Sequence, residues 1–327
     1  MIVLQDDRLE FRFPEVHAKA RCSISFMRTL RLPDDNRSYP LPPGLGHFPL
    51  HHVDDFGATV PSAWMRHGGV FLPMYQAEAM WINFNCHYPM ALKIAAGKVC
   101  ALTGETWAPE LVPEPQNYLV VPDQPWLDGF CVGQDLIRQF VAMPLGEGYS
   151  AEEQLTGEAR YGGLQILAYP MKADVYKARF EQPKLQRMYS PMMAEAAYAP
   201  PEMGLAPGGL MRQEVYEDNH GFEAWDTSVS SRCFVHILNS VQYRTVTGNY
   251  PPSIPPSAAD YARAGLPWFE YYASDLAALS GAASLAGLDS IAAKKIKKGE
   301  GVLADNEAIQ LDRIVKLSNG QVREGTF

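Results

Sequence analysis

The stretch Ala91-Leu92-Lys93-Ile94-Ala95-Ala96-Gly97-Lys98-Val99-Cys100-Ala101-Leu102-Thr103 decides how this chain is read. Two apolar, β-prone runs flank Ala96-Gly97-Lys98, and glycine takes the positive φ of a tight turn without steric cost, so the stretch predicts a β-hairpin. Upstream, Met80, Ile82 and Phe84 alternate with Ala79, Trp81 and Asn83, the period-two signature of a strand. Leu9, Phe11 and Phe13 alternate with charged residues, and Cys22, Ile24 and Phe26 repeat the pattern, so residues 14–19 join two half-buried strands. Downstream, Phe130-Cys131-Val132, the turn Gly133-Gln134-Asp135 and residues 136–143 predict a second hairpin, with a further strand over 162–169. Near the end of the chain, Asn319-Gly320 separates β-prone residues 314–317 from 321–323, a strong short hairpin signal.

Helical periodicity is short and comes late, over 173–180, 191–198, 240–247 and 257–264, with Ser257 placed to cap the last of these. Proline occupies 26 of 327 positions and clusters at 199–207 and 251–256, which favours short elements joined by ordered loops over a helical bundle. The expected fold is therefore α+β and β-rich, with antiparallel sheets in a sandwich or barrel-like arrangement and short helices concentrated in the C-terminal half. Residues 1–170 form the β-rich half and 171–327 the α+β half, as separate domains or as one compact unit.

The 28 lysines and arginines against 37 aspartates and glutamates leave a net charge of −9. Nine of the acids, and only one base (Arg138), lie between Glu105 and Leu155, so this window holds eight of the nine excess charges. Nucleic-acid binding runs on cations meeting phosphates, so such a balance excludes it as the main activity. No apolar run is long enough to span a membrane, and the N-terminus lacks the basic-then-apolar order of a secretory signal. Cys22, Cys86, Cys100, Cys131 and Cys233 are odd in number and widely spaced, which predicts free buried thiols and a cytoplasmic protein.

Trp126 stands inside the acidic window between Asp123 and Asp128, and an exposed ring beside carboxylates makes a binding platform. The principal functional expectation is a soluble cytosolic binding or assembly protein. It engages a ligand or protein partner through Asp123, Trp126 and Asp128, without nucleic acid or membrane. The alternative is a metal-dependent hydrolase or oxygenase with a divalent ion held by His47, His51, His52, Asp54 and Asp55. Imidazole and carboxylate are what such ions take as ligands, and on a strand His52 and Asp54 share a side.

Three further stretches carry expectations. Glu214, Glu217, Asp218, Glu223 and Asp226 surround His220-Gly221 with the oxygen density of a calcium loop, but in no EF-hand spacing, so a solvated turn is expected. Gly146-Glu147-Gly148-Tyr149-Ser150-Ala151 fits G-x-G-x-x-A, yet its own acids oppose a pyrophosphate, leaving a loop and one short helix capped by Ser150. The basic run Lys294-Lys295-Ile296-Lys297-Lys298 suits a helix end, and would join copies into a homo-oligomer by meeting their acidic windows.

Overall fold

The computed structural model describes residues 1–181, 202–271 and 276–317. Its architecture follows the alternation read above. In Arg8–Arg12, Leu9 and Phe11 point inward while their neighbours stay at least partly wet, and this strand pairs antiparallel with Arg21–Thr29. From there a ten-stranded sheet builds through Ala79–Cys86, Leu136–Pro144, Met203–Arg212 and Ser38–Tyr39, with Ile2–Gln5 on its other edge. Gly44–His47, Trp126–Leu127 and Gly129–Gly133 pair onto its flanks. A second sheet of seven strands runs Val99–Cys100, Met90–Ala96, Leu164–Pro170, Ser231–Asn239, Val70–Met74 and His51–His52, with Leu119–Val121 beside Met90–Ala96. Both sheets are open rather than closed into a barrel. Most pairings are antiparallel, but Met203–Arg212 runs parallel to Ser38–Tyr39, and Ser231–Asn239 to Val70–Met74.

Every residue of Met90–Ala96 and of Leu164–Pro170 is buried, which is why these strands read as apolar runs without alternation. The hairpin at Gly97 forms with φ +56°, but its second strand stops at Cys100 instead of reaching Thr103. The second hairpin pairs Gly129–Gly133 with Leu136–Pro144. Helices Ala173–Phe180 and Ser240–Thr247 lie where periodicity placed them, the latter opened by the Asn239 side chain and closed by Gly248 at φ +73°. Ala258–Arg263 is capped by Ser257, whose Oγ accepts from the Asp260 amide at 3.0 Å. Ser62–His67 and Ala151–Thr156 are helices in the first half of the chain, and the former had no signal beyond its proline. The helix expected over 191–198 and the hairpin turn at Asn319-Gly320 fall outside the described residues. Ile314–Lys316 pairs instead, in parallel, with Trp268–Glu270. No helix among the described residues is long and apolar enough to cross a membrane.

The cysteine expectation is corrected at one point. Cys22 and Cys86 face each other directly across antiparallel strands, with Cα atoms 4.5 Å apart, and form a disulfide. They lie 64 positions apart in sequence, so only strand register reveals the pair. Cys100, Cys131 and Cys233 are free and buried. Thiol titration of the unfolded, unreduced chain is expected to find three groups and, after reduction, five; five before reduction would mean the bridge does not form.

Candidate functional site

Loops from both sheets enclose a cleft of about 790 Å³. The seven-stranded sheet supplies Leu102, Thr103 and Glu105, which follow Val99–Cys100, and residues 113–116 with Tyr118, which lead into Leu119–Val121. The ten-stranded sheet supplies Gln134, from the turn of its hairpin. Glu217, Asp218, Gly221 and Phe222 form another wall, and residues 278–284 the last. That last wall is sewn to the body by its backbone: Leu279 donates to the Val215 carbonyl, Ala282 to Cys131, and Glu217 to Ala277. Gly281 sits at φ +75°, and a Cβ there would lie 2.3 Å from the Gly133 nitrogen, so no other residue fits without moving the wall.

Among the described residues that line this space are four carboxylates, those of Glu105, Glu114, Glu217 and Asp218, and no lysine, arginine or histidine. Asp218 is the fixed one. Its Oδ2 accepts from Tyr118 Oη at 2.7 Å and Trp225 Nε1 at 2.8 Å, and its Oδ1 from the amides of His220 and Gly221. Burial, and next the bond to Asp218, push the Tyr118 hydroxyl above its usual pKa, so it remains a donor. Glu105, Glu114 and Glu217 are exposed, and none has a cationic partner within 4.0 Å among the described residues.

The sequence approached this cleft from two directions without joining them. Glu105 and Glu114 belong to the acidic window, whereas Glu217 and Asp218 belong to the turn around His220-Gly221, about a hundred residues later. The other window residues go elsewhere. Asp123 Oδ2 lies 3.4 Å from His220 Nε2. Trp126 is half-buried, its ring 4.9 Å from Tyr271 and 6.4 Å from Trp81. Asp128 is 3% exposed; Gln213 Nε2 donates to its Oδ2 at 2.8 Å, while its own amide donates to Gln213 Oε1 at 3.0 Å. Burial raises its pKa to about 7 against the bonds from Gln213 and Trp126. Trp126 and Asp128 thus bond to each other and share Gln213, whereas Asp123 turns to His220.

The five expected metal ligands are not brought together. His47 is exposed on Gly44–His47, and the His51–His52 strand ends before Asp54, which opens a 3₁₀ turn with Asp55. The shared side expected for His52 and Asp54 on one strand is thereby lost. His51 packs against Phe56 and Phe71, and its Nε2 lies 2.6 Å from Tyr243 Oη. Among the described residues no three His, Cys, Asp or Glu side chains are arranged to hold a metal ion.

Two other sequence features acquire a geometry. Ala151–Thr156 opens with a full capping box between Ser150 and Glu153, and Glu153 Oε1 also accepts from the amides of Gly146 and Gly148. A carboxylate thus already occupies the nest that a phosphate would need. The basic run is partly offset within the chain: Lys294 and Lys297 share Asp289, and Lys295 and Lys298 share Glu300. Lys93, 2% exposed within an apolar strand, donates to the Glu110 carbonyl at 2.7 Å with its pKa lowered by burial; a single lysine in Ala-Leu-Lys-Ile-Ala was its only signal. Comparison with protein-family models, with curated proteins and with solved structures yields no match to this chain, so the reading of its site rests on its own geometry.

Proposed function

We propose that this is a binding protein whose cleft takes an extended ligand carrying several positive charges. The observation that carries this reading is a cleft of about 790 Å³ with four carboxylates and no cation among its described lining residues. The volume falls in the range of small-molecule sites. The carboxylates do not converge on one point as an ion would require, which favours charges spaced along a chain, as in a polyamine. Thr103, Gln134, Ser280 and Ser284 add hydroxyls and an amide that hydrogen-bond amine and amide groups. Asp218, with both its oxygens engaged inside the protein, shapes the wall. Glu105, Glu114 and Glu217 meet the ligand.

Spermine titrated by calorimetry in low salt tests the reading. Saturable binding is expected, lost by ~0.5 M salt as the charges are screened. Changing both Glu114 and Glu217 to glutamine should weaken it by roughly tenfold, about 0.5–1 kcal/mol for each exposed pair. Heat that is absent, or indifferent to the double substitution, would remove the proposal. The cytoplasmic placement now rests on Cys100, Cys131 and Cys233, because a reducing compartment would keep Cys22 and Cys86 open. Alkylation at the moment of cell lysis decides it, and trapping Cys22 and Cys86 as thiols would support the cytosol.

A further inference from the structure

On Ser231–Asn239, Arg232, Phe234 and His236 point to one face, because side chains alternate along a strand. The short helix Ser62–His67 lies across this row. Its Trp64 and His67, three residues apart and so on one side of the helix, cover two of the three rungs. Trp64 stacks on His236 with ring centroids 4.6 Å apart, and His67 on Phe234 at 4.9 Å. Tyr161 closes on His67 at 5.0 Å, with the Lys98 ammonium 5.4 Å from its ring centre.

The third rung is open. Arg232 is exposed, and its guanidinium lies 4.6 Å from the Phe234 ring centre. Arg66, beside His67, is exposed as well, and donates to the Ser62 hydroxyl at 3.4 Å. Neither arginine has a carboxylate within 4.0 Å among the described residues. The acids of this neighbourhood are engaged elsewhere: Glu158 is shared by Lys98 and Arg160, Glu202 is bonded to the Trp64 side chain, and Glu152 accepts from the amides of Tyr161 and Gly162. Burial first, then Arg66 and Arg232, lower the pKa of His67, and no carboxylate acts against them.

We propose that Arg66, His67 and Arg232, at the open end of this aromatic ladder, bind a phosphate-bearing ligand, with Tyr161 as the adjoining ring. Arginine matches phosphate geometry with paired N–H donors, and an imidazole near an anion adds a third donor. The site is separate from the acidic cleft, and neither reading depends on the other.

Sodium triphosphate and ATP, titrated in parallel into the full chain, test it by calorimetry and by the NMR signals of the His67 ring. Saturable binding near one equivalent is expected, with the His67 resonances shifting along the same curve. The double variant Arg66→Ala, Arg232→Ala should bind at least tenfold more weakly, while Lys295→Ala, in the self-paired basic run, should bind as before. Tighter binding of ATP than of triphosphate would assign the ligand as a nucleotide, and equal binding as the phosphate group alone; both support the site. Binding that is absent at millimolar concentration, or that leaves the His67 signals in place, overturns it. The His67 measurement on the unaltered protein decides the matter even if the double variant fails to fold.

Discussion

Changing Arg28 to methionine is expected to destabilise the protein by about 3–5 kcal/mol at pH 8. The two ends of this ion pair are 6% and 2% exposed. Arg28 Nε and one terminal nitrogen donate to Glu78 Oε1 at 2.7 and 2.5 Å, and that nitrogen also reaches the Ser253 carbonyl at 2.6 Å. Glu78 Oε2 accepts from the Tyr75 amide at 2.9 Å. Burial already pushes the Glu78 carboxyl above its ordinary pKa, with the Tyr75 amide and then Arg28 opposing that shift. Removing the guanidinium strands a buried carboxylate, which costs far more than the pair itself contributes. The sign with pH follows. A carboxyl raised further in the folded state is most costly when ionised, so the loss is largest at pH 8 and shrinks as pH falls. Replacing both residues with methionine should cost much less than the single change, because no charge is left behind. Urea unfolding of the wild type and the two variants measures this, and a single variant within about 1 kcal/mol of wild type would show that the pair carries no such weight.

That pair also marks the limit of what could be read from the chain. Elements whose evidence is local were legible: the turn at Gly97, the alternation of Leu9 and Phe11, the caps at Ser150 and Ser257 all depend on neighbours a few residues apart. Features created by register were not. Cys22 meets Cys86, and Arg28 meets Glu78, because Arg21–Thr29 pairs with Ala79–Cys86 at one alignment. Neither spacing resembles a motif.

The acidic window shows the same limit from the other side. Its composition suggests one charged face, but each acid is used differently. Glu152, 1% exposed, binds the amides of Tyr161 and Gly162; Glu153 caps a helix; Asp128 is internal; Glu105 and Glu114 open onto the cleft. Charge counting along a chain averages over environments that a folded protein keeps apart. The partners that complete the cleft, Glu217, Asp218 and residues 278–284, are too distant for any window to include.

Asp128 turns this separation into a measurable pH dependence. An unfolded aspartate ionises near 3.8, whereas burial holds this one at about 7. Between those values the folded protein keeps a proton that the unfolded chain has released. The stability this group provides is therefore fully present below pH 4 and is lost as pH rises through 7. A difference of about three units corresponds to roughly 4 kcal/mol, and local water entry lowers what is realised, so about 2–4 kcal/mol is expected. An asparagine in this place would present one acceptor and one donor end, as the protonated acid does, and it does not ionise. Asp128→Asn should accordingly match wild type near pH 4 and exceed it by about 2–4 kcal/mol at pH 8. Unfolding curves in urea at the two pH values isolate the effect, since groups common to both proteins cancel in the difference. If the gap between variant and wild type is the same at both pH values, Asp128 is ionised throughout, and the buried Gln213–Asp128 contact holds a charge rather than a proton.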